Sequence, residues 1–280
     1  MKVDLHCHSH FSDGKHAPEF LIQRAIQNQV THLAITDHDC TAALSQVSDQ
    51  GSELKLINGV EISCDWKDME IHIVGLLIDP ETEDLRSLLA SQQRQRRSRV
   101  RAIDEKLQSL GEHGLLPYLH ALPCISYTRS HIAAFLIAQG ICHRRQKAFK
   151  THLGRRGKIY VKSAWCSLEQ AISTINKAGG IAVIAHPGRY SMTKRKLDTL
   201  IDDVISSGGE ALEATYANID HRTKKYLSDL CRTKKLYASV GSDFHDAAAH
   251  WTDIGRYPPL DQLTQKNAIW LHPKWHSAMK

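Results

Sequence analysis

No stretch of this chain approaches the roughly 18 consecutive apolar residues a membrane helix needs, and its start lacks a basic stretch followed by an apolar one. Neither a membrane span nor a secretion signal is expected. The seven cysteines, Cys7, Cys40, Cys64, Cys124, Cys142, Cys166 and Cys231, contain no Cys-x-x-Cys pair. An odd, scattered set of this kind argues for reduced thiols in a cytoplasm rather than for a disulfide framework. Internal repeats and low-complexity tracts are lacking as well, so a repeat architecture is not expected.

Histidine is what the chain has in excess, with 18 among 280 residues, well above ordinary usage. The 42% hydrophobic and 24% charged content are those of a soluble globular enzyme. The length suits one large α/β domain, or one carrying a smaller insertion. Net charge is +6, but it is unevenly placed: residues 86–162 hold 16 Lys and Arg against 3 Asp and Glu, a net +13 that leaves −7 for the remainder. A basic block beside an acidic remainder suits a polyanion held near the acidic part. The plain alternative is a solvated basic helix face.

The opening stretch Asp4-Leu5-His6-Cys7-His8, followed by Asp13 in Ser12-Asp13-Gly14, organises the rest. Two histidines at i and i+2 on a strand point to one side, so both imidazoles can reach one cation, and Asp13 can add a carboxylate from the following loop. The same grammar recurs. Strands are expected at residues 2–5, 33–36, 54–62, 71–77, 181–185, 211–215 and 237–240, several ending in an acid or an imidazole. Helices are expected at 18–29, 168–178, 194–206 and 220–233. This alternation argues for a parallel sheet or barrel whose functional residues gather at strand ends. From residue 80 to 158 strand grammar gives way to a long polar helix (83–110) with Arg94, Arg96, Arg97, Arg99 and Arg101, then a compact apolar helix after Arg129-Ser130-His131. The expected division is a core of 1–79 and 159–280 with a helical basic insertion, 80–158, covering the site.

The strand ends collect His6, His8, Asp13, His38, Glu61, His72, His186, Asp243 and His245, with His131 from the insertion. A catalytic zinc commonly takes three protein ligands plus water, so a set this large implies two or three ions. Glu61 and Asp243 suit bridging positions because a carboxylate has two oxygens. Mixed imidazole and carboxylate donors suit Mn²⁺, Zn²⁺ or Fe²⁺. Such ions activate bound water and neutralise developing negative charge, the chemistry of a metal-dependent hydrolase. His186 is a candidate acid for the leaving oxygen, with a ligand role as the alternative. Arg129 and Arg189 can fork onto phosphate oxygens. Asp37 is expected to orient a neighbouring imidazole.

In order and spacing, His6-x-His8, Thr36-Asp37-His38-Asp39, Gly59-Val60-Glu61, His72, Ala185-His186-Pro187 and Asp243-x-His245 resemble the PHP (polymerase and histidinol phosphatase) metallophosphoesterase family. Glu70-Ile71-His72-Ile73-Val74-Gly75, Arg129-Ser130-His131, Ala185-His186-Pro187-Gly188-Arg189-Tyr190 and Gly241-Ser242-Asp243-Phe244-His245 are similar to the branch containing RNase AM. The resemblance covers nearly the whole chain. It implies a distorted (β/α)7 barrel with an inserted helical domain and three divalent metal ions, Mn²⁺ first, with Zn²⁺, Fe²⁺ or Mg²⁺ as alternatives. Carried over by position, His6 and His8 hold the first ion with Glu61 and Asp243 shared. His72 and His131 hold the second with Glu61, and Asp13, His38 and His245 hold the third. The implied activity is that of a 5′ to 3′ exoribonuclease, as in rRNA maturation, and of a 3′,5′-nucleoside bisphosphate phosphatase. Its expected partners are RNA with a 5′-phosphate, short oligonucleotides and bisphosphorylated nucleotides such as adenosine 3′,5′-bisphosphate (pAp). Two alternatives stand beside it: a small-metabolite phosphatase such as histidinol phosphatase, which leaves the basic block without a use, and a noncatalytic nucleic-acid-binding module with structural metals.

Overall fold

The computed structural model describes residues 1–47 and 54–279. Seven strands follow one another around a nearly closed sheet: β1 (Val3–Cys7), β2 (His32–Ile35), β3 (Lys55–Trp66), β4 (Met69–Leu76), β6 (Ile181–Ile184), β7 (Ala211–Tyr216) and β8 (Tyr237–Gly241), with the two-residue β5 (Cys166–Ser167) pairing on β3. The ends of β1 and β8 close the ring: Asp243 N donates to His6 O at 2.8 Å and His8 N to Phe244 O at 2.9 Å. The approach is tight, since a Cβ at Gly241 would collide with the His6 side chain. The buried Asp4 carboxylate fastens the same seam, accepting from Ser242 N at 2.8 Å and Gly255 N at 2.6 Å. The described residues thus form an α/β barrel of seven strands.

One strand departs from the parallel arrangement expected. β4 runs antiparallel to both β3 and β6. The cause is local: Lys67 and Asp68 have φ of 44° and 64°, the two positive values that a two-residue type I′ turn requires, and such a turn joins antiparallel neighbours. Neither residue is glycine, so the sequence gives no hairpin signal there. Strands β3 and β4 accordingly run on to Trp66 and Met69.

Helices α1 (Pro18–Gln27), α7 (Leu168–Lys177), α8 (Lys194–Ser206) and α9 (His221–Thr233) cover the barrel, with short α2 (Ala42–Gln46) and α10 (Pro273–Ala278) at its margins. α7 illustrates the logic. Ser167 caps it by accepting from Gln170 N at 3.2 Å, and Leu168, Ala171, Ile172 and Ile175 form one apolar stripe, all buried. Burial of each large aliphatic side chain there stabilises by roughly 1.5–3 kcal/mol.

The remaining helices are α3 (Glu83–Ser109), α4 (Leu115–His120), α5 (Arg129–Ala138) and α6 (Arg145–Ala148), with one π turn at Phe149–Leu153. α3 starts with Glu83 and Asp84, favourable at the positive end of the helix dipole, and stops before Gly111 at φ 83°. Its first turns place Leu85, Leu88 and Leu89 in the barrel core. Its later turns place Val100, Ile103 and Leu107 in a second cluster with Leu115, Leu119, Ile132, Phe135 and Leu136. One helix therefore roots in the barrel and carries a separate core above it. Among the described residues no helix is long and apolar enough to cross a membrane.

Candidate metal centre

The strand ends of the barrel converge on one buried cluster. His6 and His8, one residue apart on each side of Cys7, bring their Nε2 atoms within 3.1 Å of each other. Asp243 Oδ1 lies 3.5 Å from His6 Nε2 and 3.2 Å from His8 Nε2, and Glu61 oxygens lie 3.4 Å from each ring. His72 Nδ1 and His186 Nε2 each stand 3.0 Å from Glu61 Oε1. His38 Nδ1 stands 2.8 Å from Glu61 Oε2. Asp13 Oδ1 faces His245 Nε2 at 3.3 Å and His38 Nε2 at 3.6 Å. The hairpin that makes β4 antiparallel also brings His72 back beside Glu61, because their strands pair directly. Gly14 lets the Asp13 loop fold against the His8 carbonyl, where a Cβ would collide.

Four overlapping donor groups result, each with ligand atoms within 4.8 Å of one another: His8, Asp13, His38 and His245; His6, Glu61 and His186; His6, His8 and Asp243; His38, Glu61 and His72. Their chemistry fits divalent cations. Asp13 Oδ1, His38 Nδ1, Glu61 Oε2 and His186 Nδ1 are buried polar atoms without a hydrogen-bond partner among the described residues, an arrangement that is costly unless something else binds them. His38 Nδ1 and Glu61 Oε2 are close enough to bond but not aligned to do so. Donors gathered this closely, some with a buried atom left unpaired, form groups that could hold a cation.

The electrostatics agree. Burial lowers the basicity of His6, but the carboxylates of Glu213 and Glu61 overcome it and carry its pKa to about 10. The same opposition takes His72 to about 9, with Glu61 as the strongest raising influence. The negative field that draws protons to these rings also draws cations. Burial raises the Glu61 and Asp13 carboxyls, yet the surrounding imidazoles hold both well below the usual carboxylate range, so they are ionised at neutral pH. Burial and the neighbouring His245 and His38 push His8 well below its ordinary value, leaving it a neutral lone-pair donor. Backbone strain collects at the same place: the non-glycine residues His186 and Asp243 have φ of 32° and 50°, a conformation that persists where surrounding structure imposes it and is common at functional sites.

Several supports went unrecognised in the sequence. Glu213 on β7 receives His6 Nδ1 at 2.7 Å and His186 N at 2.5 Å, fixing the His6 tautomer so that Nε2 faces the cluster. Its signal was a lone carboxylate inside the buried run Ala211–Tyr216. Glu70 sits 3.5 Å from His72 Nε2 and accepts from Arg129 Nη2 at 3.1 Å. Asp39 receives Arg96 of α3 through Nε at 2.9 Å and Nη2 at 2.5 Å, while Gln93 donates to the Asp39 carbonyl at 2.8 Å and to Ser126, which donates in turn to His38 O. The polar inner face of α3 thus holds the loop that carries His38. Asp37 acts on an imidazole through an intermediary: Ser12 Oγ donates to it at 2.6 Å and lies 3.3 Å from His8 Nδ1.

One expected placement differs. His131, assigned with His72 and Glu61, lies in none of the four groups; His38 takes that place. The reason is local geometry, since His131 Nδ1 accepts from Thr128 N at 3.0 Å as part of the α5 capping box, and burial lowers the ring to about 4. His186, for which an acid role and a ligand role are both expected, joins His6 and Glu61 in one group with its Nε2 3.0 Å from Glu61 Oε1, and burial lowers it to about 4 as well. Arg129 and Arg189 both line the cleft above, a cavity of about 230 Å³ that also exposes Arg99, Ser130 and Arg145. Arg189 is paired with Asp243.

Comparison with known proteins places this geometry in a family. The chain is 40% identical over 258 residues, 90% of its own length and 88% of the relative's, to a 5′-3′ exoribonuclease Rnm of Salmonella typhimurium. It is 36% identical to a 3′,5′-nucleoside bisphosphate phosphatase of Chromobacterium violaceum, covering 96% of this chain and 95% of that one. A solved structure described as an amidohydrolase from Chromobacterium violaceum, with bound sulfate and no metal, superposes with a TM-score of 0.89 at 34% identity, over 97% of this chain and 95% of that chain. The family model for the PHP domain matches residues 4–181, from the β1 residue Asp4 to the start of β6, and with those relatives it makes this protein a member of the PHP domain family.

Proposed function

We propose that this chain is a metal-dependent phosphoesterase acting as a 5′ to 3′ exoribonuclease that also removes phosphate from 3′,5′-nucleoside bisphosphates. The observation that carries the reading is the set of four overlapping donor groups at the floor of a cleft rimmed by Arg99, Arg129, Arg145 and Arg189. The names of the relatives support the substrate class. Three divalent cations, Mn²⁺ foremost, fit a set in which His6, His8, His38 and Glu61 are each shared between groups. When bound, such ions supply a water acidic enough to attack phosphorus at neutral pH and neutralise the phosphoryl oxygens.

The residues of the chain do the rest. His6, His8 and Asp243 form one ligand group, His38, Glu61 and His72 a second, and His8, Asp13, His38 and His245 a third, with His186 joining His6 and Glu61. Glu213 and the Ser12–Asp37 pair hold the imidazoles in register. Arg129 and Arg189 offer planar forks to the phosphate oxygens. Arg189 exchanges its Asp243 partner for substrate, and Arg129 reaches inward while Glu70 keeps it oriented. Residues 80–158 are read as a helical unit standing over the floor, a reading the second hydrophobic cluster supports. All seven cysteines are free, which suits action in a reducing cytoplasm.

The deciding experiment offers one manganese-loaded preparation pAp, 5′-phosphorylated RNA, 5′-phosphorylated DNA and histidinol phosphate. The RNA and pAp should give the highest kcat/KM. A ranking led by histidinol phosphate replaces the nucleotide reading, and absence of manganese-dependent phosphate or nucleotide release removes the enzyme reading.

A further inference from the structure

Beside the metal cleft runs a second depression of about 450 Å³, and Glu70, Arg99, Arg129 and Arg189 line both, so the two adjoin along a shared wall. The second groove has six cationic residues on its walls, Arg99, Arg129, Arg155, Lys162, Arg189 and Lys196, against the three carboxylates Asp65, Asp68 and Glu70. Its far end is formed by three elements that the metal floor does not use: the Lys67-Asp68 turn of the β3–β4 hairpin, the chain from Arg155 to Ser163, and the first turn of α8 with Lys196.

The charges at that far end are available to an anion. Arg155 donates to Asp68 O at 2.6 Å, and the single Asp68 carboxylate faces Lys162, Arg155 and Lys196 together, so three cations lean on one acid. Lys162 pairs with Asp68 at 2.6 Å, but both side chains are more than 60% exposed, and an exposed pair of this kind is weak and salt-screened, so it can yield to a phosphate. Lys196 lies 5.7 Å over the Trp66 ring. Tyr160 lines the same wall and offers a face on which a base can stack. A cationic groove with an aromatic wall is the arrangement that tracks a single-stranded polynucleotide.

The geometry points to this groove as the binding track for the RNA strand on the 3′ side of the nucleotide being released, a subsite that a bisphosphorylated mononucleotide never reaches. The inference rests on the exoribonuclease reading and assigns its polymer specificity to Arg155, Lys162 and Lys196. The outward arginines of α3 take no part: Arg94, Arg97 and Arg101 are exposed and line neither depression.

The test compares wild type, an R155A/K162A/K196A triple variant and an R94A/R97A/R101A control that removes the same charge from the outer face of α3. Each is given a 5′-phosphorylated RNA decamer and pAp, and each is titrated with a fluorescent decamer by anisotropy across salt concentrations. The groove variant should lose on the order of tenfold in kcat/KM for the decamer and keep its rate on pAp, and its binding should lose about 0.7 of log–log salt slope for every phosphate contact removed. The control should match wild type. Equal losses on RNA and pAp, unchanged decamer binding, or an equal effect of the control variant each overturn the groove. Failure of wild type to hydrolyse either substrate overturns the exoribonuclease reading instead, and the anisotropy series still decides whether the groove binds RNA.

Discussion

The floor and the rim of the cleft are charged in different ways. On the floor, His6, His8 and Glu61 are fully buried, and each is fixed by a second buried group such as Glu213 or by the shared carboxylates. On the rim, Arg129 and Arg189 keep 35% and 37% of their side chains exposed and lean on single carboxylates. The floor is preorganised for cations, since its donors already converge and need little rearrangement. The rim is adaptable, because an exposed guanidinium can change partners at small cost. α3 shows the same contrast within one helix: Arg96 is buried against Asp39, and its neighbour Arg97 is in solvent.

The comparison breaks most severely at the floor. Glu61→Gln keeps the shape but removes the charge shared by two donor groups, and should abolish hydrolysis and lower the metal content of the purified protein; normal turnover with a full complement of metal contradicts the floor as drawn. Next in size is Arg96→Met, which leaves Asp39 buried and unpaired and should cost about 3–5 kcal/mol in urea unfolding. Arg97→Met, one residue away on the outer face, should stay within about 0.5 kcal/mol, so similar losses for the two would erase the distinction between the faces. Glu213→Gln should reduce metal affinity by roughly 10- to 100-fold, measured by competition with a chelating dye, with unfolding little changed. The smallest functional effect belongs to the rim. Arg129→Ala should raise KM for phosphorylated substrates by about tenfold, the loss of one charge-assisted contact, while metal content measured on the same sample stays at the wild-type level.

Much of the floor was legible because the strands announce themselves as short apolar runs, and several of those runs carry an acid or an imidazole at or near one end. His6, His8, Asp13, His38, Glu61, His72, Asp243 and His245 could be collected on that pattern, and all eight lie in the convergent groups. His131 could not be told apart from them by the same pattern, because its capping bond to Thr128 depends on where α5 starts. The antiparallel β4 was hidden for a related reason: Lys67 and Asp68 adopt a glycine-like conformation without being glycine. The basic block was visible as a total, but not as a division into buried, cleft-lining and outward arginines.

The sequence by itself determined the donor types, their order along the chain and the alternation that brings strand ends together, because those depend on periodicity and local chemistry. Tertiary structure alone decided which donors share a point in space, which arginines turn inward, and that Glu213, distant in the chain, orients His6. Those outcomes depend on how the β3–β4 hairpin, the β1–β8 seam and the burial of α3 set separations of a few ångströms. Metal binding and long-range electrostatics are sensitive on that scale, and sequence spacing does not resolve it.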